Sequence, residues 1–438
     1  MKNKNTYNPY STKTNFAKAV CIFMSAMFAS LSFAQESQPN LAEAKEANTH
    51  DCWTERESLF LESLIEENLP DSGFTPTLSW AGEQWTNVSG GLKRGTTWDS
   101  LLTFGFEQDL GKLAKVDGLG RIGMTAFHYT GSGDFSGEYV GSMSDPSNIF
   151  SGEMVRVFEI YYANEFETSI GTFSTRIGQL AADEDFMGID YADIFLNSSL
   201  GAIPVNAGTG LYSGVNAFSQ YSLATLGLTV GYEVDDFDFM LGIYNGNAGD
   251  DLSKNHGFNY DFEGVAVWYQ IGYNYELFGR NGRVQFGGNY NSAKFENFAT
   301  GDTGRNFYSF YLGIQQDILV DDEKNPILGA FCRLAWAPDS DISAFTKYVD
   351  FGFNWFGPIP CRGDDVFAVA VSILEAGKAF SNAEGIDRNE TMVEATYKLQ
   401  LTKAISLQPV MQVYLNPRNS FDEKETAFVV GTRLEVNF

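Results

Sequence analysis

The chain has 438 residues with 56 acidic and 29 basic side chains, a formal net charge of −27. Such an excess repels nucleic acid and anionic solutes at long range, so no nucleic-acid partner is expected. Aromatic residues make up 15%, with 44 Gly and only 12 Pro, a mixture that suits strands and tight turns and points to an all-β class.

Residues 1–34 read as a secretory signal. Lys2, Lys4, Lys13 and Lys18 precede the apolar run AVCIFMSAMFASLSFA, and Ser32-Phe33-Ala34 supplies the small residues of a cleavage site near Ala34. Removal takes away four lysines and no acid, so −27 becomes −31. No later stretch offers the roughly 18 continuous apolar residues of a membrane helix. If the chain crosses a membrane, it does so as strands.

Residues 35–73 form an N-terminal segment. Within it ERESLFLESLIEENL (55–69) has Leu61, Leu64, Ile65 and Leu69 near a 3.6 period, interrupted by Asn68, and reads as a short amphipathic helix. Cys52 precedes that helix, and a tether to Cys361 in the turn IPCRGDD is one reading of the odd cysteine count.

From residue 74 to 438 a period-2 pattern recurs. Less regular ribbons lie near 75–88, 97–110, 121–130, 157–166 and 169–180, followed by cleaner ones at 226–234 and 237–244. In GVAVWYQIGYNYEL, Val265, Val267, Tyr269, Ile271, Tyr273, Tyr275 and Leu277 share one face, with Ala266, Trp268, Gln270, Gly272, Asn274 and Glu276 opposite. GRNG (279–282) turns the chain into RVQFGGNYN. Ribbons then recur at 307–318, 328–336, 348–356, 366–373, 393–401 and 406–415, and FVVGTRLEVNF (428–438) ends the chain, giving sixteen.

Short connections such as Asp235-Asp236 and 321–325 alternate with long polar ones such as 245–261 and 375–390. An even number of strands with short turns at one end and long loops at the other is the pattern of a transmembrane antiparallel β-barrel of about sixteen strands. A secreted sandwich also alternates, but its solvent face is rich in Lys, Glu and Thr. Here the face opposite the apolar one is rich in Gly, Asn, Gln and Ser, as a crowded aqueous lumen requires. Trp336, Trp355, Phe356 and Tyr414 near strand ends are expected to form aromatic girdles. Phe438, the terminal aromatic, is expected to engage the barrel-assembly machinery, with outer-membrane lipid and lipopolysaccharide around the wall.

Sixteen strands leave an aqueous channel. The connection from Ala181 to about Ser219, between the fifth and sixth strands, is the longest and is expected to fold inward. It carries Asp183, Glu184, Asp185, Asp190 and Asp193, while Arg176 leads into it on lumen parity. Acid on one wall and guanidinium on another, with Arg283, Arg333 and Arg433 as further candidates, would set up a transverse field across the pore. The bland alternative is that these arginines neutralise neighbours such as Asp350 and Glu435. Trp268, Phe195 and Tyr191 are candidates for stacking on apolar faces of a passing solute. Asp183, Asp185 and Asp190 offer oxygens of the kind Ca²⁺ takes, without the spacing of a known loop motif.

Catalytic motifs are missing: the sequence has no G-x-S-x-G, no H-E-x-x-H and no paired-Cys motif, and its three histidines are His50, His128 and His256. Neither an enzyme nor a cofactor is expected. A lone His128 in a strand reads as a girdle residue.

Four blocks, EQWTNVSGGLKRGT (83–96), RVFEIYYANEF (156–166), RIGQLAADEDF (176–186) with FLNSSLG (195–201), and LQPVMQVYLNP (407–417), resemble in the same order segments of the carbohydrate-selective porin family, the OprB type. The resemblance implies an outer-membrane channel that passes sugars by facilitated diffusion. A general cation-leaning porin is the alternative, and association into homo-oligomers stays open.

Overall fold

The computed structural model describes residues 58–61, 69, 71–150, 152–212, 218–249, 256–258, 261–417 and 426–438. The alternation seen along the sequence becomes sixteen strands. They are β1 (Phe74–Ser89), β2 (Gly95–Asp109), β3 (Arg121–Gly131), β4 (Met154–Thr168), β5 (Gly171–Leu180), β6 (Thr225–Val234), β7 (Phe237–Asn245) and β8 (Val265–Leu277). They continue as β9 (Arg280–Glu296), β10 (Thr303–Val320), β11 (Pro326–Trp336), β12 (Phe345–Phe356), β13 (Val366–Ala376), β14 (Asn389–Thr402), β15 (Ile405–Leu415) and β16 (Ala427–Asn437). Each pairs antiparallel with its sequence neighbours, and β1 pairs with β16 to close the barrel.

The burial pattern along one strand decides between barrel and sandwich. On β8, Val265 and Ile271 are 46% and 44% exposed, whereas Ala266 and Trp268 between them are 2% and 1% exposed. Apolar side chains therefore face outward and mixed ones inward, the inverse of a soluble sheet, as a lipid-facing wall demands. Val230, Leu241, Phe286 and Leu312 continue that outer face.

Near the short turns an outward aromatic ladder runs through Phe166, Phe173, Tyr232, Phe239, Phe237 and Tyr273, with neighbouring ring centroids 4.6–6.4 Å apart. A belt of aromatic rings, with the hydroxyls of Tyr232 and Tyr273 as polar tips, suits the boundary between lipid and water. Trp336 and Trp355 stand exposed on the outer face as expected. Tyr414 does not: it is fully buried in the lumen, donating to Gln412 Oε1 at 2.6 Å. Its even position on β15 gives it the parity of Gln408 and Gln412, so strand phase overrides proximity to a strand end. His128 is exposed on β3.

The β8–β9 turn is tighter than GRNG suggests. Leu277 pairs with Arg280, leaving Phe278 and Gly279 at φ +55° and +76°, the pair of positive φ angles of a two-residue type I′ hairpin. Most of the 55–69 segment, including the expected helix, and Cys52 with its tether lie outside the described residues. Leu59 N donates to Asn437 O at 3.2 Å, and the Phe60 ring lies 6.2 Å from that of Phe438. No helix among the described residues is long and apolar enough to cross a membrane.

Candidate functional site in the lumen

The long connection after β5 turns into the barrel because its own sequence is half apolar. Phe186, Ile189, Phe195, Leu196, Leu200, Ile203, Val205 and Phe218 are buried against the lumen wall. Phe195 meets Phe331 of β11 at 5.9 Å, and Phe218 meets Phe295 and Phe307 of the β9–β10 hairpin at 5.5 and 5.2 Å. The wall makes room with glycine. A Cβ at Gly329 would lie 2.3 Å from the Tyr191 ring, and one at Gly313 would lie 2.8 Å from Ile189. Short helical turns at Ser198–Gly201, Pro204–Ala207 and Thr209–Tyr212 fold the rest of the loop.

Backbone groups buried this way need partners, and lumen side chains supply them. Glu394 of β14 accepts from Leu196 N at 2.7 Å and Asn197 N at 2.9 Å. Gln285, Asn289, Asn354 and Gln408 donate to the carbonyls of Gly188, Asn206, Tyr191 and Ile194. Arg333, 1% exposed, forks onto Asp350 at 2.6 and 3.0 Å and also donates to the carbonyls of Met187, Leu200 and Gly201. Tyr348 joins them, donating to Ser199 O and Asp350.

A second inward loop, 132–153 between β3 and β4, was not foreseen. It buries Phe135, Val140, Met143 and Ile149. Glu390 of β14 accepts from Met143 N and Ser144 N at 2.8 and 3.3 Å, and Gln412 donates to Pro146 O. The two loops bond to each other. Ser198 N donates to Asp145 O and Asp145 N to Ser198 Oγ, both at 2.9 Å, while Asn148 donates to Phe195 O at 3.2 Å. Four large apolar residues inside a polar-looking connection were the signal that could have revealed it.

The expected site residues fall into two groups. Asp190 and Asp193, with Glu184, stand exposed on the edge of the 181–224 loop, Asp190 accepting from Gln315 at 2.8 Å. Asp193 is open to water at the edge, yet the partial desolvation of its carboxyl by the surrounding lumen, then Asp190, pushes it up to about 6 against the pull of Arg333. The remaining residues are enclosed or paired. Arg176 bonds Glu159 at 2.7 Å and Asp185 at 2.9 Å, and its guanidinium lies 4.5 Å from the Tyr161 ring centre. Arg283 holds Asp238 at 2.5 and 2.9 Å. Arg433 holds Glu83, with Nε at 2.6 Å, and Asn148. Asp183 accepts from Tyr221 N through both oxygens at 3.0 and 2.9 Å. Burial, then Glu184, pushes its carboxyl up to about 8, against that N–H.

These pairings correct three expectations. The four arginines do not stand free opposite the loop acids, because each is paired with a carboxylate beside it. Trp268, Phe195 and Tyr191 cannot stack on a passing solute, being 1%, 1% and 8% exposed beneath the loop. Asp183, Asp185 and Asp190 are turned to separate partners, Tyr221, Arg176 and Gln315, so they do not form a shared Ca²⁺ site.

A family description, the carbohydrate-selective porin, OprB family, matches residues 93–438. Among solved structures, a Pseudomonas putida OprB at high pH superposes with a TM-score of 0.76 at 16% identity, covering 86% of this chain and 97% of that one. The low-pH form of the same protein gives 0.58 at 14% identity, covering 88% and 100%. The Acinetobacter baumannii outer-membrane channel DcaP gives 0.50 at 12% identity, covering 83% and 97%. No curated protein matches the sequence significantly. Identities this low speak for the shared barrel alone; the family match covers most of the chain. Fold and family are those of an outer-membrane channel rather than an enzyme, and the chain belongs to the carbohydrate-selective porin, OprB family.

Proposed function

We propose that the mature chain, released from its signal near Ala34, passes monosaccharides or small oligosaccharides down their gradient through a lumen narrowed by the two inward loops. The observation that carries this reading is the edge of the 181–224 loop. Glu184, Asp190 and Asp193 stand exposed there as hydrogen-bond acceptors, while Arg176, Arg283, Arg333 and Arg433 are each ion-paired. A sugar presents many donors and no charge, so it gains acceptors along its path without displacing a counter-ion. Lipid and lipopolysaccharide surround the wall in this reading, and the assembly machinery engages the strand ending in Phe438.

The same carboxylates favour a second reading, a general cation-leaning pore. Liposome swelling with the refolded protein separates the two. Glucose and a disaccharide entering much faster than amino-acid and dicarboxylate solutes of similar size supports sugar passage. Rates that follow only size and positive charge would overturn it.

A further inference from the structure

The outer face of the wall carries almost no charge where β11 to β14 cross. At the outward positions of these four strands the only charged side chains are Lys347 on β12 and Glu375 on β13. The two are register partners, at the end of the barrel that holds loops 132–153 and 181–224. Lys347 Nζ reaches both oxygens of Glu375, at 3.0 and 2.8 Å. Arg388, one residue before β14, donates to the same carboxylate from Nη2 at 2.5 Å and to Ala376 O from Nε at 3.4 Å.

Register fixes the height of this trio on the wall. Lys347 pairs with Trp336, which is 52% exposed on the outer face and lies 6.3 Å from the Phe310 ring. Two residues along the same faces stand Val349 and Ile373, where the apolar band begins. An exposed tryptophan beside the last apolar row marks the level at which headgroups begin. In an outer-membrane barrel the end with the long loops faces the cell exterior, so these headgroups belong to the outer leaflet.

Two cations share one carboxylate, which leaves one positive charge in excess, against the net charge of −27 of the chain. The side chains of Lys347 and Arg388 are 33% and 34% exposed and that of Glu375 is 12% exposed, so the cations rather than the carboxylate meet the lipid. Donors are left over as well. An ammonium has three N–H groups and a guanidinium five, and Arg388 Nη1 has no partner among the described residues.

We propose that Lys347 and Arg388 bind a headgroup phosphate of an outer-leaflet lipid, that of a phosphorylated glucosamine in lipopolysaccharide, with Glu375 holding the two cations together. A phosphate accepts charge-assisted hydrogen bonds from both at once. The inference rests on the reading that lipopolysaccharide surrounds the wall, and it is independent of which solute the pore passes.

The test is lipid binding to the delipidated full barrel in detergent, followed by native mass spectrometry. The probes are lipid A with both phosphates, the same lipid dephosphorylated, and inorganic phosphate. We expect the phosphorylated lipid to bind tighter than the dephosphorylated one, and to lose about fivefold in affinity for each cation removed, in Lys347→Gln and in Arg388→Gln. Lys347→Arg should keep the binding, and so should Arg121→Gln at the other end of the barrel. Either glutamine variant at the site suffices should the other fail to fold. Equal affinity for the two lipids, or binding unchanged in both glutamine variants, would overturn the site while leaving lipid around the wall. Failure of both lipids to bind would overturn that underlying reading too. Inorganic phosphate bound as tightly as the lipid would make this a soluble-anion site and overturn the lipid assignment.

Discussion

The loop-clad zone of the lumen and the short-turn end of the barrel use ion pairs to different effect. In the clad zone the Arg333–Asp350 side chains are 1% and 0% exposed, and those of Arg433–Glu83 are 7% and 0%. At the short-turn end Arg121–Glu107 stands 48% and 46% exposed, and Lys324–Glu276 58% and 54%. Exposed pairs of the second kind contribute about 0–1 kcal/mol. A clad pair has to offset its own desolvation, and its spare donors, as at Arg333, are then available to hold a loop backbone. Charge in the clad zone is a seat for the constriction, whereas charge at the short-turn end is solvated.

Removing the seat gives the largest expected effect. Arg333→Ala leaves Asp350 buried without its counter-ion, costing roughly 3–5 kcal/mol, and releases the carbonyls of Met187, Leu200 and Gly201. We expect a lower unfolding temperature, higher single-channel conductance and entry of larger oligosaccharides. Arg333→Leu with Asp350→Leu recovers most of the stability, because replacing both partners with apolar groups is often neutral. It leaves conductance high, which separates holding the loop from holding the barrel. Arg121→Ala, at the short-turn end, should change neither.

A steric change at the wall sharpens the contrast without touching charge. Gly329→Val places side-chain atoms where the Tyr191 ring lies, 2.3 Å from even a bare Cβ. Overpacking of this kind costs about 1–3 kcal/mol. The loop is the more yielding partner, so conductance and solute cut-off should move more than the unfolding temperature.

The strands were legible because lipid on one side and water on the other impose a period of two on every ribbon, and the inward loop was legible from its length. Partnership was not. Arg333 and Asp350 become neighbours only through the β11–β12 register, which parity within one strand cannot supply. Trp268 reads as a lumen residue, and it is one, yet Phe186 and Phe218 cover it from a loop far along the chain. The same cause hid loop 132–153: its partners Glu390 and Gln412 lie more than 240 residues away.

Proton occupancy tests the clad zone from within. The Asp183 carboxyl is raised from an ordinary value near 4 to about 8 by burial and Glu184. At low pH it is neutral in both folded and unfolded chains. Between about pH 4 and 8 the unfolded chain gives up its proton first, so the seat of the loop weakens as pH rises and levels off above 8. Asp145, raised to about 7 by burial and Asp134, acts in the same direction. The wild type should therefore lose thermal stability with rising pH more steeply than Asp183→Asn. Parallel slopes would mean that Asp183 is ionised throughout.

The smallest effect belongs to the loop edge, where the clad zone meets open water. Glu184, Asp190 and Asp193 are exposed, and an exposed charge acts on a passing ion by about 1 kcal/mol at contact in water, roughly fivefold in local occupancy. Replacing all three by amides should lower cation over anion preference in a salt-gradient reversal potential and slow glucosamine relative to glucose, while glucose changes little because amide oxygens still accept its hydroxyls. The effect should fade as ionic strength rises, since exposed charges are screened over about 10 Å at 0.1 M salt. A glucose rate that collapses in the triple amide would instead place the sugar in direct contact with ionised carboxylates, and the edge would then act as a binding site rather than as a field.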